Sequence, residues 1–234
     1  MISSGSVVFF FSNNRVFLFD MNFKPQLVFG AILSLLMMSG CVTPPTLDDQ
    51  GPSVAYASGE KIAISVNDQR ESLKEGKPAN YVGYSRTSLG IPISHTLQRL
   101  ASVEGDKDRT LAQYLAHRMQ VGLTNSGWEV AVVDWSDFDS ESDIETDSKV
   151  LLMRLNGWDM ILGKGLFETA ILNTEVIVKV IDRDGSLLLE KEFANSRSLQ
   201  LAKTGDSRQT GMIKLFRDEL ELILEDSELA AVIR

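Results

Sequence analysis

The sequence predicts an α+β fold, a two-layer sandwich in which a mixed or mostly antiparallel sheet of about four or five strands carries two main helices on one face. Three observations predict it. The run KIAISVN at 61–67 alternates, with Ile62, Ile64 and Val66 on one face, as a half-buried strand requires. The stretch from Asp108 to Leu123 repeats apolar residues at helical spacing, and WEVAVVDW at 128–135 returns to strand composition. Two long β-rich arms, 167–181 and 186–197, flank Asp184-Gly185, a strong hairpin signal.

Taken in order, the first strand is followed by a polar stretch with a Gly-Lys-Pro break, and a short strand is expected near Tyr81 to Ser85. In the first helix Leu111, Leu115 and Met119 fall at i, i+4 and i+8, with Tyr114 and Gly122 beside them. Asp106 or Asp108 is placed to cap its start, and Gly127 sits where a left-handed stop belongs. KVLLMRL, 149–155, is apolar on both faces in part and reads as a central strand. In the first hairpin arm Thr174, Val176, Val178 and Val180 share a face, with Glu175 and Lys179 on the other. The second helix runs from Asp206 to about Asp226, with Ile213, Phe216, Leu220 and Ile223 as its apolar stripe and Asp206 with Gln209 as a capping box.

Composition narrows the function classes. The formal net charge of -9 is the wrong sign for a duplex nucleic-acid partner or for a polybasic attachment to anionic lipid. One cysteine and two histidines, His95 and His117, supply neither an internal disulfide nor a zinc cage of thiolates and imidazoles. No cofactor is expected beyond a covalent lipid.

That lipid is expected on Cys41. From Met21 the chain reads MNFKPQLVFGAILSLLMMSGC: Lys24 is a short positive region and Leu27 to Met38 an apolar core of secretory length. The apolar run falls short of the roughly 20 residues that a spanning helix needs. Ser39 and Gly40 are the small residues a peptidase requires, so cleavage between Gly40 and Cys41 fits a bacterial lipobox, with Met38 where Leu is commoner. A thiol is a good nucleophile for alkylation by a diacylglyceryl group, and cleavage frees the cysteine amine for a further acyl chain. Each buried CH₂ contributes about 0.8 kcal/mol, so several chains hold a soluble domain firmly. Residues 1–40 therefore read as a signal peptide, either one whose translation starts at Met21, the simpler reading, or an unusually long signal, residues 41–59 as a lipidated flexible tether rich in Pro, Gly and polar residues, and residues 60–234 as one periplasmic domain. Val42 and Thr43, with no Asp after the cysteine, favour the outer membrane.

The lipobox at Cys41, the SVNDQR of 65–70 and the run GLFETAILNTEVIVKVIDRDGSLLLEKEF of 165–193 together resemble the YajG-like outer-membrane lipoproteins. The likeness would span about residues 60–226. It departs at the acidic stretch 137–147, which reads as an insertion. The resemblance implies an outer-membrane lipoprotein facing the periplasm, with its Asp-x-Arg motif falling on Asp68 and Arg70, and implies no established chemistry.

Asp68 and Arg70 lie two apart at a strand end and face the same way in extended chain. They are either a recognition spot for a partner or glycan, or a local ion pair fixing the turn, and the second reading is preferred. Asp137, Asp139, Glu141, Asp143, Glu145 and Asp147 alternate through 137–147; Ser142 stands where a calcium-binding loop needs Gly, so a solvated loop is expected. GKG at 163–165 lacks the further glycine and helix of a dinucleotide fingerprint and reads as a turn. His95 and His117, the latter on the exposed part of its helix, lack a hydrolase pattern. Trp128, Trp135 and Trp158 flank strands, as core closures or as a binding surface. The sequence thus predicts a non-enzymatic binding or scaffolding domain anchored to a membrane and meeting an envelope protein. The alternatives are an accessory subunit of an export or transport machine, and a glycan-binding or hydrolytic module.

Overall fold

The structure, a computed structural model, describes residues 45–56, 59–134, 147–163, 168–201 and 205–234, the side chains of 205–207 excepted. Cys41, Gly40, the signal segment and residues 137–146 of the acidic stretch lie outside the described residues.

Among the described residues there are seven strands: β1 (Lys61–Asp68), β2 (Tyr81–Arg86), β3 (Pro92–Thr96), β4 (Glu129–Val132), β5 (Lys149–Gly163), β6 (Glu168–Ile181) and β7 (Leu187–Leu201). The helices are α1 (Leu47–Gln50), α2 (Glu71–Lys74), α3 (Leu97–Leu100), α4 (Leu111–Asn125), α5 (Gly205–Leu224) and α6 (Ser227–Ile233), with a 3-10 turn at Glu104–Asp106. The sheet is mixed, as expected, but larger than the four or five strands that composition indicates. One strand, β3, was not expected, and one, β5, is longer than expected. The run read as a strand over 149–155 continues to Gly163, crossing Asn156-Gly157 through a register shift instead of turning there. β3 escapes notice because Ile93 alternates with polar neighbours on an exposed edge.

β5 organises the sheet. Along one edge it pairs antiparallel with β6 from Val150↔Ile181 to Gly163↔Thr169, and β6 in turn pairs with β7. The other edge is shared. Its first half takes β1 in parallel, from Ile62↔Lys149 to Asp68↔Leu155, and its second half takes β2 in parallel, from Gly83↔Met160 to Ser85↔Leu162. β4 extends β1, and β3 extends β2. Gly83 is obligatory where β2 meets β5: its φ is +150°, and a Cβ would sit 2.6 Å from the Met160 carbonyl carbon.

One main core fills the space between the sheet and the long helices. Leu111, Leu115, Met119 and Leu123 of α4 and Phe216, Leu220 and Ile223 of α5 bury their stripes against Ile62, Ile64, Met153, Leu155, Trp158 and Val176. The predicted faces of both helices and of β6 are the buried ones. The start of α4 differs. Thr110 caps it in a reciprocal box with Gln113, while Asp106 is buried in an ion cluster. A carboxylate with guanidinium partners gains more there than at a cap. The stop is as expected: Gly127 has φ +91°, with Gly127 N–H donating to the Thr124 carbonyl at 2.9 Å and Trp128 N–H to that of Leu123 at 3.1 Å. Gly185 (φ +84°) likewise closes the β6–β7 turn.

The segment read as flexible tether is, over residues 45–56, a strap packed between α4 and α5. Gln50, Val54 and Tyr56 are buried. The strap runs in the direction of both helices. Gln50 accepts from Arg118 and the Val54 carbonyl from Ser126 on α4; Asp49 carbonyl accepts from Arg217, Ser53 N–H donates to Glu221, and Tyr56 hydroxyl donates to the Leu224 carbonyl on α5. Its tether-like composition serves a different end. Gly51 and Pro52 cross α4 at Gly122, where no side chain intervenes.

Candidate functional site

The Asp68-x-Arg70 motif lies where β1 ends and β2 begins beside β5. Pairing of β1 stops at Leu155, and that of β2 starts at Met160, so β5 would leave backbone groups unpaired between them. Arg70, fully buried, fills the fork. Its Nε and Nη2 donate to Asp68 Oδ1 and Oδ2, both at 2.8 Å, and its Nη1 donates to the carbonyls of Tyr81 (3.0 Å) and Trp158 (3.1 Å). A bidentate pair plus two carbonyls engages four of the five guanidinium donors. The guanidinium therefore joins three strands of its own chain and presents no free face to a ligand. Beside it, Asp159 is held above the usual carboxylate range, chiefly by burial and further by Asp68 and Glu75, against the pull of Arg70. Burial and the nearby Asp159 also push up the Tyr81 phenol, and Lys77 stands 5.7 Å over its ring. The accessible part of this site is thus a half-buried carboxylate next to a saturated ion pair.

A second polar cluster was not legible in the sequence. Asp106, fully buried, receives Arg118, Arg109 (3.0 Å) and His117 Nδ1 (3.3 Å). Arg118 stacks 4.5 Å over Tyr114 and donates to Gln50, whose amide donates to Pro45 carbonyl (3.0 Å) and Ser102 (2.8 Å). The cluster locks the strap to α4 and to the loop before it. His117 is therefore half-buried on an acid rather than on an open helix face. Burial, with Arg109 and Arg118, holds it below its ordinary value, and Asp106 opposes them. A third buried acid, Glu219 of α5, accepts from Thr174 Oγ1 and Asn195 Nδ2, each at 2.8 Å, and pairs with Arg197 Nε at 3.0 Å. Its signal was available: an acid three residues after Phe216, inside an apolar stripe.

The other candidates fall apart from these clusters. His95 is on edge strand β3, below its ordinary value through burial and then Arg208 and Arg99. Trp158 is wholly buried and packs edge-on to Phe216 at 5.5 Å; Trp128 meets Tyr56 edge-on at 6.2 Å. Both are core closures, and Trp135 lies outside the described residues. Asp147, the described end of the acidic stretch, is exposed 3.7 Å from Lys61. Gly163 ends β5, and Lys164 and Gly165 lie outside the described residues. Among the described residues no three His, Cys, Asp or Glu side chains converge as a metal site, and no helix is long and apolar enough to cross a membrane.

No family model matches the chain, and no curated protein matches it. Solved structures do. A Xanthomonas campestris protein of the DUF330 family is 10% identical with a TM-score of 0.46, over 77% of this chain and 91% of that one. A minor lipoprotein from Acinetobacter baumannii is 14% identical with a TM-score of 0.33, over 74% and 94%. A lipoprotein from Neisseria meningitidis is 8% identical with a TM-score of 0.32, over 72% and 99%. None of the three carries the YajG name.

Proposed function

We propose that this chain is a lipoprotein of the bacterial cell envelope, acylated on Cys41, at the outer membrane and facing the periplasm. Its folded domain binds or scaffolds an envelope protein and performs no chemistry of its own. The observation that carries this reading is the order Lys24, Leu27 to Met38, Ser39, Gly40, Cys41, followed at Pro45 by chain docked on the domain. Support for a non-enzymatic role comes from the polar clusters: Arg70, Asp106 and Glu219 each spend their bonding capacity on their own chain. The YajG-like family remains the finer reading, resting on Asp68, Arg70 and the late hairpin. Intact mass spectrometry of the protein extracted from host membranes, with separation of inner and outer membranes, tests it. A chain starting at Cys41 with acyl mass in the outer-membrane fraction is expected. An unacylated chain, or one retaining residues 1–40, overturns it. Cys41→Ser is expected to release a folded protein from membranes.

A second reading, accessory subunit of an export or transport machine, is favoured by β7. Among the described residues this long strand pairs only with β6, which leaves its outer edge the donors and acceptors that a partner strand needs. Crosslinking from introduced cysteines along β7 to a neighbouring protein in cells tests that reading.

A further inference from the structure

The chain is acidic overall, yet residues 76–103, between Glu75 and Glu104, contain no Asp or Glu and carry Lys77, Arg86 and Arg99. This segment forms the β2–β3 hairpin, and its tip is apolar. Leu89 is 84% exposed, Ile91 58% and Ile93 40%, three of the six large apolar side chains that stand out from the described surface. The tip is also closed by hydrogen bonds. Gly90 N–H donates to Thr87 carbonyl at 3.0 Å, Gly90 takes φ +80°, Thr87 N–H donates to Ile91 carbonyl at 2.8 Å, and Ile91 N–H to Thr87 Oγ1 at 3.0 Å. Leu89 thus occupies a turn position where polar residues are usual and is held outward. Just below it, Arg86 stands 5.8 Å over the ring of Tyr84. An apolar wedge above an aromatic ring and a cation is the layering of the bilayer interface.

The chain's point of entry lies on the same side. The strap enters past the N-terminal half of α4, since Gln50 meets Arg118 and Val54 meets Ser126 further along the helix. α4 itself starts beside β2: Leu111 N–H donates to the Ala79 carbonyl, two residues before Tyr81, and β2 rises from there to the tip. From Cys41 to Pro45 the chain reaches at most about 14 Å, and from Tyr81 to Arg86 β2 rises roughly 17 Å toward the tip. A domain held on so short a leash must lay part of its surface on the bilayer, and the hairpin is the projection nearest to hand that lacks acids.

We propose that the β2–β3 hairpin is a second membrane contact, with Leu89 and Ile91 inserted among the acyl chains of the bilayer that holds Cys41 and Arg86 at the headgroups. This rests on the lipoprotein reading above.

Cys41 is the only cysteine, and its sulfur is capped in the acylated protein, so an introduced thiol is unique. Ser88→Cys at the tip and Arg183→Cys at the β6–β7 turn, at the other end of the sheet, are labelled with an environment-sensitive fluorophore. The full acylated protein, its acyl mass verified, is placed in phosphatidylethanolamine–phosphatidylglycerol vesicles with brominated acyl chains. Quenching and a blue shift at 88 but not at 183 are expected, both lost when Leu89 and Ile91 are changed to Ser. Equal quenching at the two positions, or none at 88, overturns the hairpin contact while leaving the acylation reading intact. Absence of acyl mass on the extracted protein overturns both.

Discussion

Gly122→Ala tests the docking of the strap, because two known effects oppose each other there. In an exposed helix interior Ala is better than Gly by about 1 kcal/mol. In this structure a Cβ on residue 122 would meet the Pro52 carbonyl oxygen well inside van der Waals contact and Pro52 Cδ and Cγ at 2.7 Å. A carbonyl and a pyrrolidine ring cannot rotate aside, so the strap must lift and strain the bonds on both flanks, Gln50 to Arg118 and Ser126 to Val54. Overpacking of this kind costs about 1–3 kcal/mol. The net expectation is a loss of roughly 1 kcal/mol in urea unfolding, with faster chymotrypsin cleavage after Tyr56. On a background where Val54→Ser and Tyr56→Ser have undocked the strap, the same Gly122→Ala change should reverse sign and stabilise by about 1 kcal/mol, since only helix propensity remains. A Gly122→Ala protein that is more stable than its parent, with Tyr56 still protected, would refute the packed strap.

The remaining expectations concern single groups. Arg70→Ala leaves the Asp68 carboxylate and two strand carbonyls without their partner and should cost about 3–5 kcal/mol in chemical denaturation; a loss below about 1 kcal/mol would mean that the fork is held otherwise. Burial, aided by Glu225 and opposed by Arg234, pushes the Tyr56 phenol from 10.0 up to about 12. The folded protein therefore keeps this proton where the unfolded chain loses it. Its stability contribution is complete below pH 10 and is lost between 10 and 12, and Tyr56→Phe should abolish that decline in alkaline unfolding curves. Asp159 lies above its ordinary 3.8, mainly through burial. Its folded carboxyl holds a proton more tightly than the unfolded one, so stability from this group is greatest at low pH and falls as pH rises through the raised value. The stability of Asp159→Asn relative to its parent should accordingly rise across that window and then level, whereas a flat difference would show that the carboxylate is well solvated.

How far the fold could be read depended on whether its cause was local. Periodicity placed Leu111, Leu115 and Met119, and Phe216, Leu220 and Ile223, in the core because a helix face is decided by spacing within a few turns. The Asp184-Gly185 turn and the Gly127 stop are equally local, set by residues that accept positive φ. The parallel pairings of β5 with β1 and β2 join segments far apart in sequence, and nothing in either strand encodes its neighbour. At the candidate site the same division holds. Asp68 and Arg70 stood out because they are two residues apart, but their role as a fork brace depends on Tyr81 and Trp158. Asp106 was read as a cap because its partners, Arg118 and Gln50, are brought to it only by folding.

The strap changes what lipidation would do to this domain. Were residues 41–59 an open tether, the anchored domain would sample heights up to about 60 Å above the bilayer and present every face in turn. With residues 45–56 docked, the same anchor would permit about 14 Å, so a lipid on Cys41 would fix orientation as well as location. A partner reaching across from the far side would then meet a limited set of surfaces at a raised effective concentration. The β6–β7 turn and the β7 edge that is unpaired among the described residues would gain from this, if the strap and the acid-free hairpin hold the opposite end toward the membrane as proposed. The buried Gln50–Arg118–Asp106 chain would make that orientation persist: it ties the strap at Pro45 and Gln50 to α4, and through α4 to the sheet. An ion pair that would be a costly choice for stability alone has a use where a fixed geometry is required.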